Sequence, residues 1–283
     1  MTHSVLITGA STGIGEDLAR HLAARGWRVF AGVRRASDGE RLATTDARIL
    51  PVLVDVTDPA SITACHATVA AALGDAPLDA LVNNAGIAVG GPLEFLPVDE
   101  LRRQFEVNVF GLVAVTQAML PLLRRGAGRI VNIGSIGGRV TTPMVGPYCA
   151  SKFAVEAISD ALRMELAEWG LSVVLVEPGV VVTPIWDKGA SDMASVGSRL
   201  PPEALTRYDG FLQGMARLLA GAPRRGVPVA EVSRVVARAL TVPRPRHRYV
   251  IGRDAKLRLA AQTLLPRRWM DAATLRFVRG RPG

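Results

Sequence analysis

Tyr148 and Lys152 stand four residues apart in the segment Pro147-Tyr-Cys-Ala-Ser-Lys152, and Ser135 lies a short distance upstream, after Gly134. On a helix, positions i and i+4 share one face, so a phenol and an ammonium at this spacing point into the same space. A nearby positive charge favours the phenolate. A free tyrosine titrates near pH ~10, and bringing it to about 7 takes roughly 4 kcal/mol, which a poised lysine together with a cationic cofactor ring can supply. A phenol so tuned is a general acid/base at cellular pH. The same spacing on an exposed helix carries no chemistry, so its meaning depends on the elements around it.

Those elements begin at the N-terminus. Ser4 to Thr8 is a β-type run, followed at once by Gly9-Ala-Ser11-Thr12-Gly13-Ile14-Gly15 and then by the helical pattern of Leu18, Leu22 and Ala23. Strand, glycine turn and helix in this order bring backbone N–H groups close to a pyrophosphate, whose charge the helix N-terminus favours. The spacing is TGxxxGxG rather than GxGxxG, and by itself it is also compatible with a plain tight β–α connection.

Arg28 to Val33 is a second strand. At its end a dinucleotide-binding protein selects the group on the adenosine ribose, and an acidic residue there accepts the 2′-hydroxyl of NAD. This chain has Arg34-Arg35 instead, two guanidiniums able to clamp a 2′-phosphate. NADP(H) is therefore the expected cofactor, with NAD(H) the alternative if the arginines only solvate a strand end. Ile49 to Val54 is a third strand, ending in Asp55-Val56-Thr57, with Thr57 or Asp58 capping the next helix. Leu78 to Val82 is a fourth, ending in Asn83-Asn84-Ala85-Gly86, and Arg129 to Ile133 a fifth, with Ser135 just past it. Ligands on an open parallel sheet bind beyond the carboxyl ends of strands. Asp55 is thus expected at the adenine and Asn83 to Gly86 along the cofactor's floor. Between Val98 and Leu123 a long helix carries Asn108 among apolar neighbours, where it must bond a backbone carbonyl or hold a water near the site.

With these residues in order, the sequence resembles the classical short-chain dehydrogenases/reductases over about its first 180 residues and again near Val229 to Gly252. The shared motifs are Thr8 to Gly15, Asn83 to Gly86, Asn108, Ser135, Tyr148 with Lys152, and Pro178-Gly179 followed by Thr183. Each is weak alone; together and in sequence they are specific. The resemblance implies a single Rossmann-type doubly wound α/β domain, a parallel sheet of about seven strands with helices on both faces. It implies that Tyr148 exchanges a proton with the substrate oxygen while Lys152 lowers its pKa and bonds the nicotinamide ribose. Ser135 would orient the carbonyl or hydroxyl, Asn108 would keep a relay water, and Val181 with Thr183 would fix the nicotinamide amide. The segments Pro147 to Ala157 and Ser159 to Leu166 look most like the branch of retinol and hydroxysteroid dehydrogenases, which implies a bulky apolar alcohol or ketone as substrate; a homo-oligomer is expected. A protein that kept this fold as a dinucleotide sensor or scaffold without turnover is the competing expectation, against which the intact Ser135, Tyr148 and Lys152 weigh.

The totals agree with a globular enzyme. Of 283 residues, 49% are hydrophobic and 21% charged, enough apolar material for a sizeable core. Two cysteines, Cys65 and Cys149, make no disulfide framework and fit a reducing, cytoplasmic setting. Four scattered histidines give no metal-ligand spacing, so no metal site is expected. The N-terminal apolar run is only strand-sized, so no signal peptide is expected, and the polar residues inside Phe105 to Leu123 favour a buried helix over a membrane span.

The formal charge of +9 invites a nucleic-acid reading until its location is considered. From Arg244 onward there are eleven Lys/Arg against two Asp/Glu, and the body that remains is balanced at 23 of each sign. Nucleic-acid binding is therefore not expected. In the extension 253–283, Leu257, Leu259, Leu264, Leu265, Trp269, Leu275 and Phe277 alternate with the basic residues, and Pro266 should split it into two helices. Attachment to an anionic membrane surface, a subunit contact, and a helix docked on the domain are the three readings. The stretch 184–228 carries Pro184, Ile185, Trp186, Met193, Val196, Leu200, Phe211, Leu212 and Met215, either as a lid over an apolar substrate or as packing for the protein's own core. The catalytic domain is accordingly taken as 1–252.

Overall fold

The computed structural model describes residues 2–183 and 200–279, with the backbone alone for residues 222–225. Seven parallel strands form one sheet in the order β3-β2-β1-β4-β5-β6-β7: β1 (Ser4–Ile7), β2 (Arg28–Val33), β3 (Ile49–Leu53), β4 (Ala80–Asn83), β5 (Arg129–Ile133), β6 (Ser172–Pro178) and β7 (Arg248–Ile251). The strand order reverses direction between β1 and β4, which opens a crevice at their carboxyl ends. The expected doubly wound fold is present.

The central strands are short Val/Ile/Leu runs because both of their faces are covered. Alternate side chains serve opposite layers: Val5 and Ile7 join the core that includes Val232 and Val236, while Leu6 joins the core of Val69, Val115 and Met119. Helices α1 (Gly13–Ala23) and α8 (Val229–Thr241) pack on the first face, and α3 (Pro59–Leu73) and α5 (Gly111–Leu123) on the second. Helix α2 (Ala36–Ala43) follows β2, and α3 starts where Asp58 Oδ1 accepts from the Ala60 amide at 2.9 Å, with Pro59 in the first turn. Asp58, not Thr57, is the cap.

The helix expected between Val98 and Leu123 is continuous but not uniform. It runs as α4 (Val98–Phe105), a π-helical turn (Glu106–Phe110) and then α5. Its length and apolarity would allow it to cross a membrane, yet Val115, Met119, Leu122 and Leu123 are buried against the sheet. The π turn inserts one extra residue and rotates Asn108 inward, a device common at functional sites.

Past β5 a short 3₁₀ turn (Ile136–Gly138) leads to α6 (Gly146–Glu165), the helix that carries Tyr148 and Lys152. Of the stretch expected as a lid, residues 184–199, with Pro184, Ile185, Trp186, Met193 and Val196, lie outside the described residues. The remainder forms α7 (Pro202–Arg225). Leu200 is buried with Val89, Leu96 and Ala204, and Met215 with Met144 and Val278, so these two pack on the protein's own body. The extension forms α9 (Arg253–Leu264) and α10 (Arg267–Arg279), broken around Pro266 as expected.

That extension is docked on its inner side. Val278 sits in the apolar cluster of Met144, Met215 and Phe211, the Arg279 guanidinium stacks 4.2 Å from the Phe211 ring centre, and a Cβ at Gly214 would overlap the Val278 carbonyl. Arg258 donates to Thr142 Oγ1 at 3.1 Å and Gln262 to the Arg139 carbonyl at 2.9 Å. The two helices thus strap the loop that precedes Tyr148. Their outer side leaves Leu257, Leu264, Trp269 and Phe277 exposed.

Candidate active site

A cavity of about 210 Å³ opens at the carboxyl ends of the strands, where the topology reverses. Ser135, Tyr148 and Lys152 line it, so three residues from two elements converge. Ser135 stands at the end of β5, held by accepting from the Gly137 amide at 3.0 Å, and its side chain hydrogen-bonds the Tyr148 phenol.

The electrostatics differ from the sequence expectation. Burial pushes the Tyr148 phenol up to about 12, with the Ser135 hydrogen bond pulling the other way. Lys152 Nζ lies 5.8 Å from the Tyr148 ring centre and donates to the Ile133 carbonyl at 2.7 Å. Burial in turn brings Lys152 down to about 8. Both groups are desolvated together, and desolvation opposes phenolate and ammonium alike. Tyr148 is a protonated donor through neutral pH in this arrangement.

Asn108 bonds backbone, the first of the two alternatives. Its Oδ1 accepts from the Ile87 amide at 2.9 Å, and its Nδ2 donates to the Ile87 carbonyl and to Ser151 Oγ, both at 3.1 Å. Gln104, one turn earlier and unnoticed in the sequence, donates to the same carbonyl at 2.8 Å and accepts from the Val89 amide at 2.7 Å. Together they pin the backbone of Ile87, a cavity wall, and tie it through Ser151 to α6.

The glycine turn fits a dinucleotide. Gly9 adopts φ +65° with Ala85 so near that a Cβ would come within 2.8 Å of its Cα. Ser11, Thr12, Gly13 and Ile14 at the start of α1 line the cavity with Gly9, and Asn84, Ala85 and Gly86 face them. A cradle that a side chain would fill, opening on a helix N-terminus, suits a pyrophosphate. Asp55, Val56, Pro178, Gly179, Val181 and Thr183 also line it. Asp55 holds its own turn, accepting from the Thr57 amide and hydroxyl at 2.9 and 2.7 Å, which keeps its carboxyl below the usual range.

Three expected cofactor residues do not reach the cavity. Gly15 packs beneath it, where a Cβ would come within 2.5 Å of Asn84 Nδ2. Asn83 faces the layer below, donating to Thr116 Oγ1 and Asn132 Oδ1 at 2.9 Å each, because alternation along β4 turns it away from its neighbour Asn84. Arg34 lines the cavity, but Arg35 is turned outward into an ion pair with Asp38 at 3.0 Å. Of the two arginines expected there, Arg34 alone lines the cavity. Arg41 of α2, which no spacing singled out, donates to the Ser11 carbonyl at 2.6 Å and pairs with Glu16, bracing the glycine turn from outside.

A smaller apolar hollow of about 150 Å³ shares no lining residue with this cavity. Leu93, Met144, Tyr208 and Phe211 line it with Gly146, two residues before Tyr148. Cys149 and Cys65 are buried, and burial raises both thiols, which excludes them as ready nucleophiles. Among the described residues no cluster of His, Cys, Asp or Glu is able to hold a metal ion.

The family model described as short chain dehydrogenase matches residues 3–194. An NADPH-dependent 3-dehydrocapnine reductase from Ornithobacterium rhinotracheale is 36% identical to this chain, with 94% of each covered. Retinol dehydrogenase 5 from Homo sapiens is 38% identical, covering 95% of this chain and 86% of its own. Among solved structures, a short chain dehydrogenase from Burkholderia cenocepacia J2315 in complex with NADP is 26% identical, with 97% of this chain and 98% of that chain covered and a TM-score of 0.74.

Proposed function

The chain belongs to the short chain dehydrogenase family and is an oxidoreductase acting on CH–OH groups; from that premise we propose that it uses NADP(H) to interconvert a bulky apolar alcohol and its ketone or aldehyde. The observation that carries this reading is the convergence of Ser135, Tyr148 and Lys152 on one wall of a cavity whose other wall is the glycine turn.

The bound cofactor supplies the hydride. Everything else falls to side chains of this chain. Tyr148, held protonated by burial, donates its proton to the substrate oxygen in the reductive direction and takes it back in the oxidative one. Ser135 shares a hydrogen bond with the phenol and orients the same oxygen. Lys152, buried and brought down to about 8, passes a proton readily and fixes the floor of the site through the Ile133 carbonyl. Asn108 and Gln104 keep Ile87 in place.

Preference for the phosphorylated cofactor is supported by Arg34, which lines the cavity where β2 ends. The hollow of Leu93, Met144, Tyr208 and Phe211 supports an apolar substrate. The exposed apolar side chains of α9 and α10, set among arginines, support peripheral contact with an anionic membrane surface. Phe110, Phe153, Met164 and Trp169, all exposed on the outer side of the π turn, α6 and its C-terminal end, support a homo-oligomer.

The test is oxidation of NADPH by the pure protein in the presence of a panel of ketones, aldehydes and steroids, followed by absorbance, with NADH in parallel. Turnover of apolar carbonyls with NADPH is expected. Equal or better turnover with NADH would overturn the cofactor assignment, and cofactor binding without turnover of any carbonyl or alcohol would favour the sensor.

A further inference from the structure

Behind Lys152 lies a group of charges that hydride transfer does not call upon. Glu177, the penultimate residue of β6, is fully buried, and no hydrogen-bond donor among the described residues reaches either of its oxygens. Its two cations, Arg139 Nη1 and Arg248 Nη1, each stop at 3.9 Å. Its partner within bonding reach is a second carboxyl, Glu156 of α6, whose Oε1 is likewise buried without a donor. Arg248 of β7 is committed to the other side of Glu156, bonding its Oε2, and to Asp160 at 2.6 Å. Two carboxylates facing each other without a donor between them are repulsive; one proton between them turns the contact into a hydrogen bond.

The surroundings favour that proton. Asp160 is occupied by Arg248 and by Arg163 at 3.4 Å. Lys152, the cation one turn away on α6, spends its Nζ on the Ile133 carbonyl, and Arg139 approaches from the end of the 3₁₀ turn without bonding. Burial first, then the charge and the hydrogen bond of Glu156, push Glu177 up to about 7.

The position of the pair matters because of what it joins. Glu156 is one turn beyond Lys152, on the helix that carries Tyr148. Glu177 precedes Pro178 and Gly179, which line the cofactor cavity. Gly138, at the end of the 3₁₀ turn that follows Ser135, packs so tightly here that a Cβ would come within 2.8 Å of the Lys152 carbonyl and 3.1 Å of Glu156 Cγ. Three elements that present the site thus meet at one carboxyl pair.

We propose that Glu156 and Glu177 share a single proton and, clamped by Arg248, act as positioning residues that hold the helix bearing Tyr148 and Lys152 against the cofactor side of the sheet. The positioning role rests on the reading of Tyr148 and Lys152 as the proton-transfer pair; the shared proton does not.

Glu177→Gln is the informative variant, since its amide supplies an N–H that does not titrate within the range of the carboxyl pair. A glutamate whose folded pKa is raised above its unfolded 4.5 contributes stability fully present below pH 4.5 and lost as pH rises through about 7. The melting temperature of the parent should therefore fall relative to Glu177→Gln across that window, and infrared spectra at pH 6 should show a protonated carboxyl that the variant lacks. Parallel melting curves, or no such band in the parent, would overturn the shared proton. For the positioning role, Glu177→Gln should keep parent-like kcat at pH 6, while Glu177→Leu should lose about tenfold to a hundredfold in kcat, as small misplacements of reacting groups do. A Glu177→Leu enzyme with undiminished kcat would overturn it. Both melting and infrared readouts remain decisive even if the parent turns over no carbonyl.

Discussion

Lys152 Nζ lies 5.8 Å from the centre of the Tyr148 ring and gives its hydrogen bond to the Ile133 carbonyl instead. Spacing brings the two residues to one face, yet burial dominates both, moving the phenol to about 12 and the amine to about 8. The amine is anchored on the backbone with its pKa drawn down toward neutrality, and the proton of the tyrosine stays on until a substrate oxygen takes it.

Tyr148→Phe should cut kcat by at least about a hundredfold, the usual worth of a positioned general acid. NADPH binding, followed by fluorescence titration, should survive. Equal loss of binding and turnover would show that the phenol is structural.

Lys152 titrates at about 8 in the folded chain and near 10.5 when solvated. Between these values the unfolded chain binds more protons, so the parent gains stability as pH rises. Relative to Lys152→Met, the gain should reach at most about 3 kcal/mol. Urea unfolding at pH 8 and pH 10 checks the sign; a gap that does not change would show that Lys152 is not desolvated.

Arg34→Ala should weaken NADPH by about tenfold or more while leaving NADH nearly unchanged, because a charge-assisted bond to phosphate is lost. Arg35→Ala, which breaks an exposed ion pair with Asp38, should cost less than about 1 kcal/mol in stability and little in either affinity. If Arg35→Ala matches Arg34→Ala in NADPH titrations, the outward orientation of Arg35 does not hold in the complex.

Gly15→Ala forces a Cβ against Asn84 Nδ2 and the Gly9 carbonyl. Overpacking of this kind costs about 1 to 3 kcal/mol. Thermal melting should fall and the affinity for both cofactors should drop together, since the turn and the Asn84 wall move as one; an unchanged melting temperature would contradict the packing.

Val278→Ala opens the contact between α10 and the cluster of Met144 and Met215, costing about 1 to 3 kcal/mol. Met144 belongs to the loop before Tyr148, so KM for an apolar carbonyl should rise while NADPH affinity stays constant. A fall in cofactor affinity of the same size would place the effect in the whole fold and not in the loop.

By itself the sequence determined the platform and the order of its parts. Apolar runs of strand length, Gly9 to Gly15, the ends of β3, β4 and β5, and the four-residue step from Tyr148 to Lys152 are local patterns, and local patterns survive in one dimension. What the tertiary structure decided is where polar side chains spend their bonds. The pleat turned Asn83 beneath the site while Asn84 faced it; Asp38 drew Arg35 outward; the Ile133 carbonyl accepted the hydrogen bond of Lys152. Gln104, Arg41 and the Glu156–Glu177 pair find their partners across 15 to 30 residues of chain, through backbone and burial that no spacing encodes. Desolvation and long-range pairing exist only once the chain is folded, and they set the charges on which the chemistry depends.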